Sequence, residues 1–330
     1  MAEIDSVSTG VGGDAVLTVA ATDTPDILKD RADYICDGTI DTGGDQVEIN
    51  AALVAADIVY LCPGTFYEDG SVVLASGQSL ISDGATIKFM NAFDLSEGMI
   101  INSDIIGGND HILLKGLKLD GNETNQSGGN QKGVYFVNVS PSGTTPGCKI
   151  DGCIIENFRS RGIYLYPSYN SVITGNTCRN TSVGIYLRES HYNTIIGNTV
   201  MYGISNGIML NGGNGNIISE NISRLNAAMG ISISNASHNT IVANYVTENS
   251  QVATNMWDNI NISQPSHYNN VQGNTSRAGG QPNKPRYGIF IENLCNGNMV
   301  TNNDIYDDGF GTASFFDDGV GTITAPGNRT

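Results

Sequence analysis

Apolar and polar residues alternate along this chain in short bursts, and the bursts recur. The segments 193–200 (NTIIGNTV), 216–223 (NIISENIS), 239–246 (NTIVANYV), 269–276 (NNVQGNTS) and 298–305 (NMVTNNDI) align without gaps. Their third position is Ile195, Ile218, Ile241, Val271 or Val300, and their sixth is Asn198, Asn221, Asn244, Asn274 or Asn303. Asn176 precedes them, and the spacings of the asparagines are 22, 23, 23, 30 and 29. A second series runs in step: 162–168 (GIYLYPS), 184–190 (GIYLRES), 207–213 (GIMLNGG), 230–236 (GISISNA), 259–265 (NINISQP) and 288–294 (GIFIENL). Period-2 alternation between Gly and Asn turns predicts strands, and a helical period is absent after about residue 56. A unit this short buries no apolar face alone, whereas stacked copies do. The pattern therefore predicts an all-β solenoid of parallel coils spaced about 4.8 Å apart. In it the fixed Asn occupies a tight turn of positive φ and hydrogen-bonds the same Asn in the next coil.

This pattern resembles the right-handed parallel β-helix of the pectate-lyase-like superfamily, in particular its carbohydrate-binding and sugar-hydrolase type repeats. The handedness is what the resemblance implies. The likeness covers roughly residues 33–305. Residues 33–68, with an acidic turn, a short helical stretch and Pro-Gly-Thr, are similar to the opening of many such proteins. Asp45 with Glu48 predicts a capping box, and Ile49, Ala52, Leu53 and Ala56 share one face. That helix is expected to cover the open end of the solenoid. The expected divisions are 1–32, an arm or attachment segment; 33–306, the β-helix with its cap; and 307–330, a C-terminal cap or tail in which Phe315 and Phe316 plug the last coil.

In G-I-x-L strands the Ile and Leu point inward and the intervening residues outward. Stacking then brings Tyr135, Tyr164, Tyr166, Tyr186, Arg188, Met209, Asn211, Phe290 and Glu292 onto one flank. Rings against the apolar faces of sugars, with Arg, Asn and Glu bonding hydroxyls, are how a protein holds a glycan. Insertions at 120–132, 247–258 and 276–287 leave from one turn and are expected to wall this flank into a saddle. One wall carries Trp257 and another carries Lys284 and Arg286.

A hydrolase needs two carboxylates at a set separation. Asp120 with Glu123, Glu189 with Glu220, Asp258 with Glu292, and the pair Asp307 and Asp308 are candidates, none singled out by spacing. A uronate lyase or epimerase needs a cation for the carboxylate and a base for the C5 proton. Tyr186, Arg188 and Glu189 are the expected catalytic set. The Gly-His-Gly and Asp-Pro-His motifs of related hydrolases and epimerases are missing. His191, His238 and His267 recur beside the turn Asn and read as repeat positions. Two classes stay open: a polysaccharide lyase, epimerase or tail-spike-type depolymerase, or a non-catalytic sugar-binding or structural module of a virion or cell surface.

Composition narrows the partners. The net charge of −17 argues against nucleic acid and makes an anionic glycan awkward unless the groove is locally basic or metal-bridged, so a neutral glycan is the easier expectation. No run of apolar residues predicts membrane insertion. The N-terminus lacks the basic start and apolar stretch of a secretory signal. With the β-helix body this favours an extracellular or virion-associated protein, and the resemblance implies a homo-trimer. The six cysteines show no CxxC spacing and are expected as buried small apolar residues, with Cys153–Cys178 left open as a disulfide. No metal centre is predicted. Calcium is the cofactor these residues leave open, on surface carboxylates or on Asp37, Asp41 and Asp45, where helix capping is the preferred reading.

Overall fold

A computed structural model of the chain describes residues 16–38, 44–92, 97–306, 308–324 and 327–329. The chain is a right-handed parallel β-helix. Among the described residues, two sheets of 13 and 17 strands run along it. A typical coil crosses the first sheet once and the second twice, as at Thr194–Ile196, Thr199–Met201 and Ile208–Asn211. Ile173, Ile195, Ile218, Ile241, Val271 and Val300 pair rung by rung and are fully buried. Each such side chain contributes about 2 kcal/mol of apolar burial.

The asparagines stack as the period requires. The Asn198 amide nitrogen donates to Asn221 Oδ1 at 3.0 Å, and Asn221 donates to Asn244 Oδ1 at 3.0 Å. The ladder continues from Asn244 through Asn274 and Asn303 to Asn328. One detail differs from expectation. The left-handed conformation belongs to the residue before each ladder Asn: Gly175, Gly197, Glu220, Ala243, Gly273 and Asn302. A Cβ on Gly197 would meet nothing within 4 Å, so its φ of +66° alone favours glycine there. The turn is made one residue early so that the Asn side chain can point into the coil and reach its neighbour. A second ladder, Asn193–Asn216–Asn239–Asn269–Asn298, runs beside the first.

The helix Gln46–Ala55 buries Gln46, Ile49, Ala52 and Leu53 at the N-terminal end of the solenoid. The predicted capping box does not form. Asp45 already has helical dihedrals and makes no side-chain cap. Its carboxylate instead accepts the Tyr67 amide at 2.7 Å and the Gly38 amide at 3.2 Å. Within the segment expected as an arm, Val16–Ala20 pairs in parallel with Ile58–Leu61 and with Tyr34–Ile35. At the other end Ala313–Asp317 pairs with Tyr287–Ile291. Phe315 faces the core there, while Phe316 lies outward and half-exposed. All six cysteines are free and buried, so Cys153 and Cys178 form no disulfide. Asp41, Asp307 and residues 1–15 lie outside the described residues.

Candidate functional site

Strand register decides which side chains meet on the flank. Tyr135, Tyr164, Tyr186, Met209, Ser232, Asn261, Phe290 and Phe316 occupy one column in successive coils. Beside it Tyr166 pairs with Val137, and Arg188 pairs with Asn211. In the coils of Tyr164 and Tyr186 the two strands of the second sheet fuse into single long strands, Ile154–Ser168 and Thr177–Arg188. No loop rises from those two coils. The three insertions leave the same corner in other coils, between strands of the same sheet. The segments 247–258 and 276–287 join into one wall, where Asn255 and Arg286 exchange main-chain bonds with Lys284 and Trp257.

The four tyrosines gather as expected, but their faces are used. Tyr135 stacks on Tyr164 at 5.0 Å, and Tyr164 on Tyr186 at 4.9 Å and 8°. Tyr164 is 8% exposed and Tyr186 7%. Rungs about 4.8 Å apart put identical side chains at ring-stacking distance, so the column closes on itself. Ring edges, rather than open faces, meet solvent. Tyr166 lies 6.4 Å from Tyr164.

Cations surround this column. Arg161 sits over Tyr164 at 5.3 Å and over Tyr186 at 5.4 Å. Lys132 lies over Tyr135 at 4.8 Å and Arg188 over Tyr166 at 4.7 Å. Arg161 bonds Ser160 Oγ at 2.8 Å and, among the described residues, has no carboxylate partner. Burial together with Arg161 lowers the Lys132 pKa. Burial raises the phenol pKa of Tyr135, and that of Tyr164 despite the opposing effect of Arg188. Arg188, whose side chain is 46% exposed, has its Nε 3.4 Å from Glu189. Asn211 donates to the Tyr186 hydroxyl at 3.3 Å. Arg161 and Lys132 escaped the sequence reading because they precede the repeated Gly rather than follow it. The signal available was the basic residue directly before Gly133 and Gly162.

The remaining predicted residues form a separate patch. Phe290 is three rungs from Met209, about 14 Å at the usual strand spacing. Phe290 stacks with Tyr287 and Phe316. Arg286 covers Tyr287 and Phe290 and makes two bonds to Asp258, which is fully buried. Glu292 accepts the Gln264 amide at 2.6 Å, and Trp257 is half-buried in the wall. Among the carboxylate pairs, Asp120 is held in a charged state by Lys88, Asn157 and the Asn122 amide, which outweigh its burial. Glu189 and Glu220 fall at different turns, one after Thr177–Arg188 and one after Ile217–Ser219. His191 and His267 accept backbone amides of the next coil through Nδ1, and His238 stacks on Tyr268. A cleft of about 480 Å³ lined by Tyr67, Asp69, Lys88, Met90 and Asn122 opens elsewhere, and none of the predicted residues lines it.

Comparison with known proteins agrees with this architecture. Phage Dettilon tailspike protein is similar over 89% of this chain and 57% of its own, at 16% identity and a TM-score of 0.64. Tailspike protein 2 of bacteriophage CBA120, in its enzymatically active domain, matches over 82% of this chain and 43% of its own, at 14% identity and a TM-score of 0.65. The A-module of the Azotobacter vinelandii mannuronan C-5 epimerase AlgE4 matches over 86% of this chain and 95% of its own, at 15% identity and a TM-score of 0.58. This chain thus spans about half the length of the two tailspike chains. At these identities the likeness establishes the fold. No curated protein sequence matches. No helix among the described residues is long and apolar enough to cross a membrane. A family model described as periplasmic copper-binding protein (NosD) matches residues 67–262. With more than half its length matched, and with the parallel coils that this family shares, the chain belongs to the NosD family.

Proposed function

We propose that this chain binds an extended anionic polysaccharide along the tyrosine–arginine flank. The observation that carries the reading is Arg161, a cation that among the described residues has no carboxylate partner, seated beside two buried tyrosines between Lys132 and Arg188. In a chain of net charge −17 this is a locally basic strip, and local potential rather than net charge governs an approaching ligand. Recognition here runs through hydrogen bonds and charge from Arg161, Arg188, Asn211 and the phenol edges. Sugar stacking on open ring faces has little part, since the rings already stack on one another.

The enzymatic reading, a lyase, epimerase or tail-spike-type depolymerase, rests on Arg188 beside Glu189 at the exposed edge of the strip. Arg188 would neutralise a uronate carboxylate there. Tyr186 fits poorly as a base, because it is buried and its oxygen already accepts a bond from Asn211. Binding is therefore the reading that the geometry supports best. The tailspikes and the periplasmic family description fit a glycan met outside the cytoplasm. Assembly as a homo-trimer is carried with this reading, and sedimentation equilibrium checks it.

The test compares a polyuronate with a neutral glucan in affinity gels. Wild type is retarded by the polyuronate, and less so as salt rises. Arg161→Ala and Arg188→Ala each weaken binding about tenfold, the loss of roughly one charge-assisted contact. Equal retardation by both polymers, or full retention in both variants, sinks the reading. Absorbance from unsaturated uronates and new reducing ends separates lyase, hydrolase and binder in the same samples.

The family description names copper, so the fit of the residues matters. Among the described residues, the matched segment brings no three His, Cys, Asp or Glu side chains into ligand range of one another. Its three histidines are far apart: His111 lies three coils before His191, and His238 two coils after it. The residues of this segment do not fit a copper centre, and no step is assigned to one.

A further inference from the structure

At the corner that leads into the first sheet, the residue two places before each strand has a positive φ. Asn170, Tyr192, Gly215, His238, Tyr268 and Gly297 hold this place in successive coils. Asn and Gly suit the left-handed region, whereas a bulky ring-bearing residue is strained there. Burial gives no offset, because Tyr192 is 62% exposed and Tyr268 61%. Strain held without burial points to a side chain placed for something outside the fold.

The two tyrosines are copies of one arrangement. The Tyr192 ring lies against Gly215 and the Tyr268 ring against Gly297, so closely that a Cβ on either glycine would stand 2.6 Å from the ring. The residue before each tyrosine is a histidine. His191 is 6.3 Å from Tyr192 and tilted by 42°, and His267 is 6.2 Å from Tyr268 and tilted by 53°. Nδ1 of His191 accepts the Asn214 amide at 3.2 Å, and Nδ1 of His267 accepts the Asn296 amide at 3.1 Å. An accepting Nδ1 leaves the ring proton on Nε2, and among the described residues neither Nε2 has a partner. Each pair thus offers an exposed ring beside an N–H donor. The pairs are three rungs apart, about 14 Å at the usual strand spacing. Exposed His238, stacked on Tyr268 at 5.2 Å, extends the second ring towards the first. No Lys, Arg, Asp or Glu occurs in 190–200, 212–219, 235–247, 264–276 or 293–303, which build this corner and the strands after it.

We propose that this corner is a second saccharide site, for a linear neutral glycan laid along the solenoid axis, with one sugar against Tyr192 and another against Tyr268. The C–H face of a sugar covers each ring, and a hydroxyl accepts from the Nε2–H of His191 or His267. A surface without formal charge holds no partner for a carboxylate, so a neutral sugar is the matching class. Two like platforms at a fixed separation favour a chain over a single sugar, because one bound unit raises the effective concentration of the next. The site uses none of Lys132, Arg161, Arg188 and the buried tyrosines, and is independent of the polyanion reading.

The test follows neutral hexasaccharides of glucose, mannose and galactose, and their methyl glycosides, on the full chain by saturation-transfer NMR. At least one hexasaccharide binds, about tenfold more tightly than its methyl glycoside and equally at low and high salt. Tyr192→Asn and Tyr268→Asn each weaken it about tenfold. Because Asn suits a positive φ, both variants hold or raise the urea midpoint, which a ring needed for packing would not allow. Excess polyuronate leaves the hexasaccharide signal in place, so failure at one site is read apart from failure at the other. No binding by any hexasaccharide, unchanged affinity in both tyrosine variants, a fall in their urea midpoints, or displacement by polyuronate overturns the proposal.

Discussion

Asn221→Ala measures what one rung of the ladder contributes. The Asn221 side chain accepts from the Asn198 backbone amide at 2.9 Å and from Asn198 Nδ2 at 3.0 Å. It donates to Ile195 O at 2.9 Å and to Asn244 Oδ1 at 3.0 Å. All four bonds are buried and vanish together in the variant. At about 1 kcal/mol net for each, the loss is about 4 kcal/mol. That is a large part of the 5–15 kcal/mol that typically separates folded from unfolded states. Asn180→Gly is the control. Asn180 is exposed, has a φ of +52°, which glycine accepts, and makes one exposed side-chain bond to Asn157. It should cost less than about 1 kcal/mol. Urea unfolding followed by circular dichroism reads both. Because coils interact with their neighbours alone, hydrogen exchange should show the extra opening around residues 195–244 rather than at the ends. Asn221→Asp separates polarity from size. It keeps the acceptor but faces Asn244 Oδ1 and Ile195 O with an anion, and so destabilises at least as much as Ala. A cost for Asn221→Ala within 1 kcal/mol of the control would refute the ladder as a source of stability.

Two further predictions concern His191, which the sequence reads as a repeat position, and Asp258, which it offers as a candidate carboxylate. Burial lowers the His191 pKa below its ordinary 6.5, and its Nδ1 accepts the Asn214 amide. A depressed folded-state pKa means the unfolded chain takes up the proton first, so this contribution is full above pH 6.5 and is lost as pH falls through the lower folded value. His191→Asn should flatten the fall in urea midpoint below pH 6.5, and an unchanged slope would count against the assignment. Asp258→Asn strips the buried partner from Arg286 and should cost about 3 kcal/mol. A shift in urea midpoint no larger than that of an ordinary surface variant would show the pair to be dispensable.

The solenoid was legible because it is a one-dimensional repeat. The same Ile, Val and Asn recur at the same offset, so stacking at one strand spacing follows with no knowledge of distant contacts. The second Asn ladder was legible on the same terms, since Asn193, Asn216, Asn239, Asn269 and Asn298 open the very segments whose sixth position was read. The tyrosine column was readable as a column for the same reason. That its rings would consume each other's faces was not, because that depends on side-chain packing between rungs at 4.9–5.0 Å. Tertiary structure alone decided that Arg161 lies over two tyrosines, that Arg286 belongs to Asp258, and that Asp45 serves strand amides instead of its own helix. Arg161 reaches Tyr186 in the next coil as well as Tyr164 in its own, Arg286 reaches Asp258 in another coil, and Asp45 lies outside the repeat. A charged or hydrogen-bonding side chain settles its role by which partner lies within about 3 Å, and the period of a sequence carries no such distance.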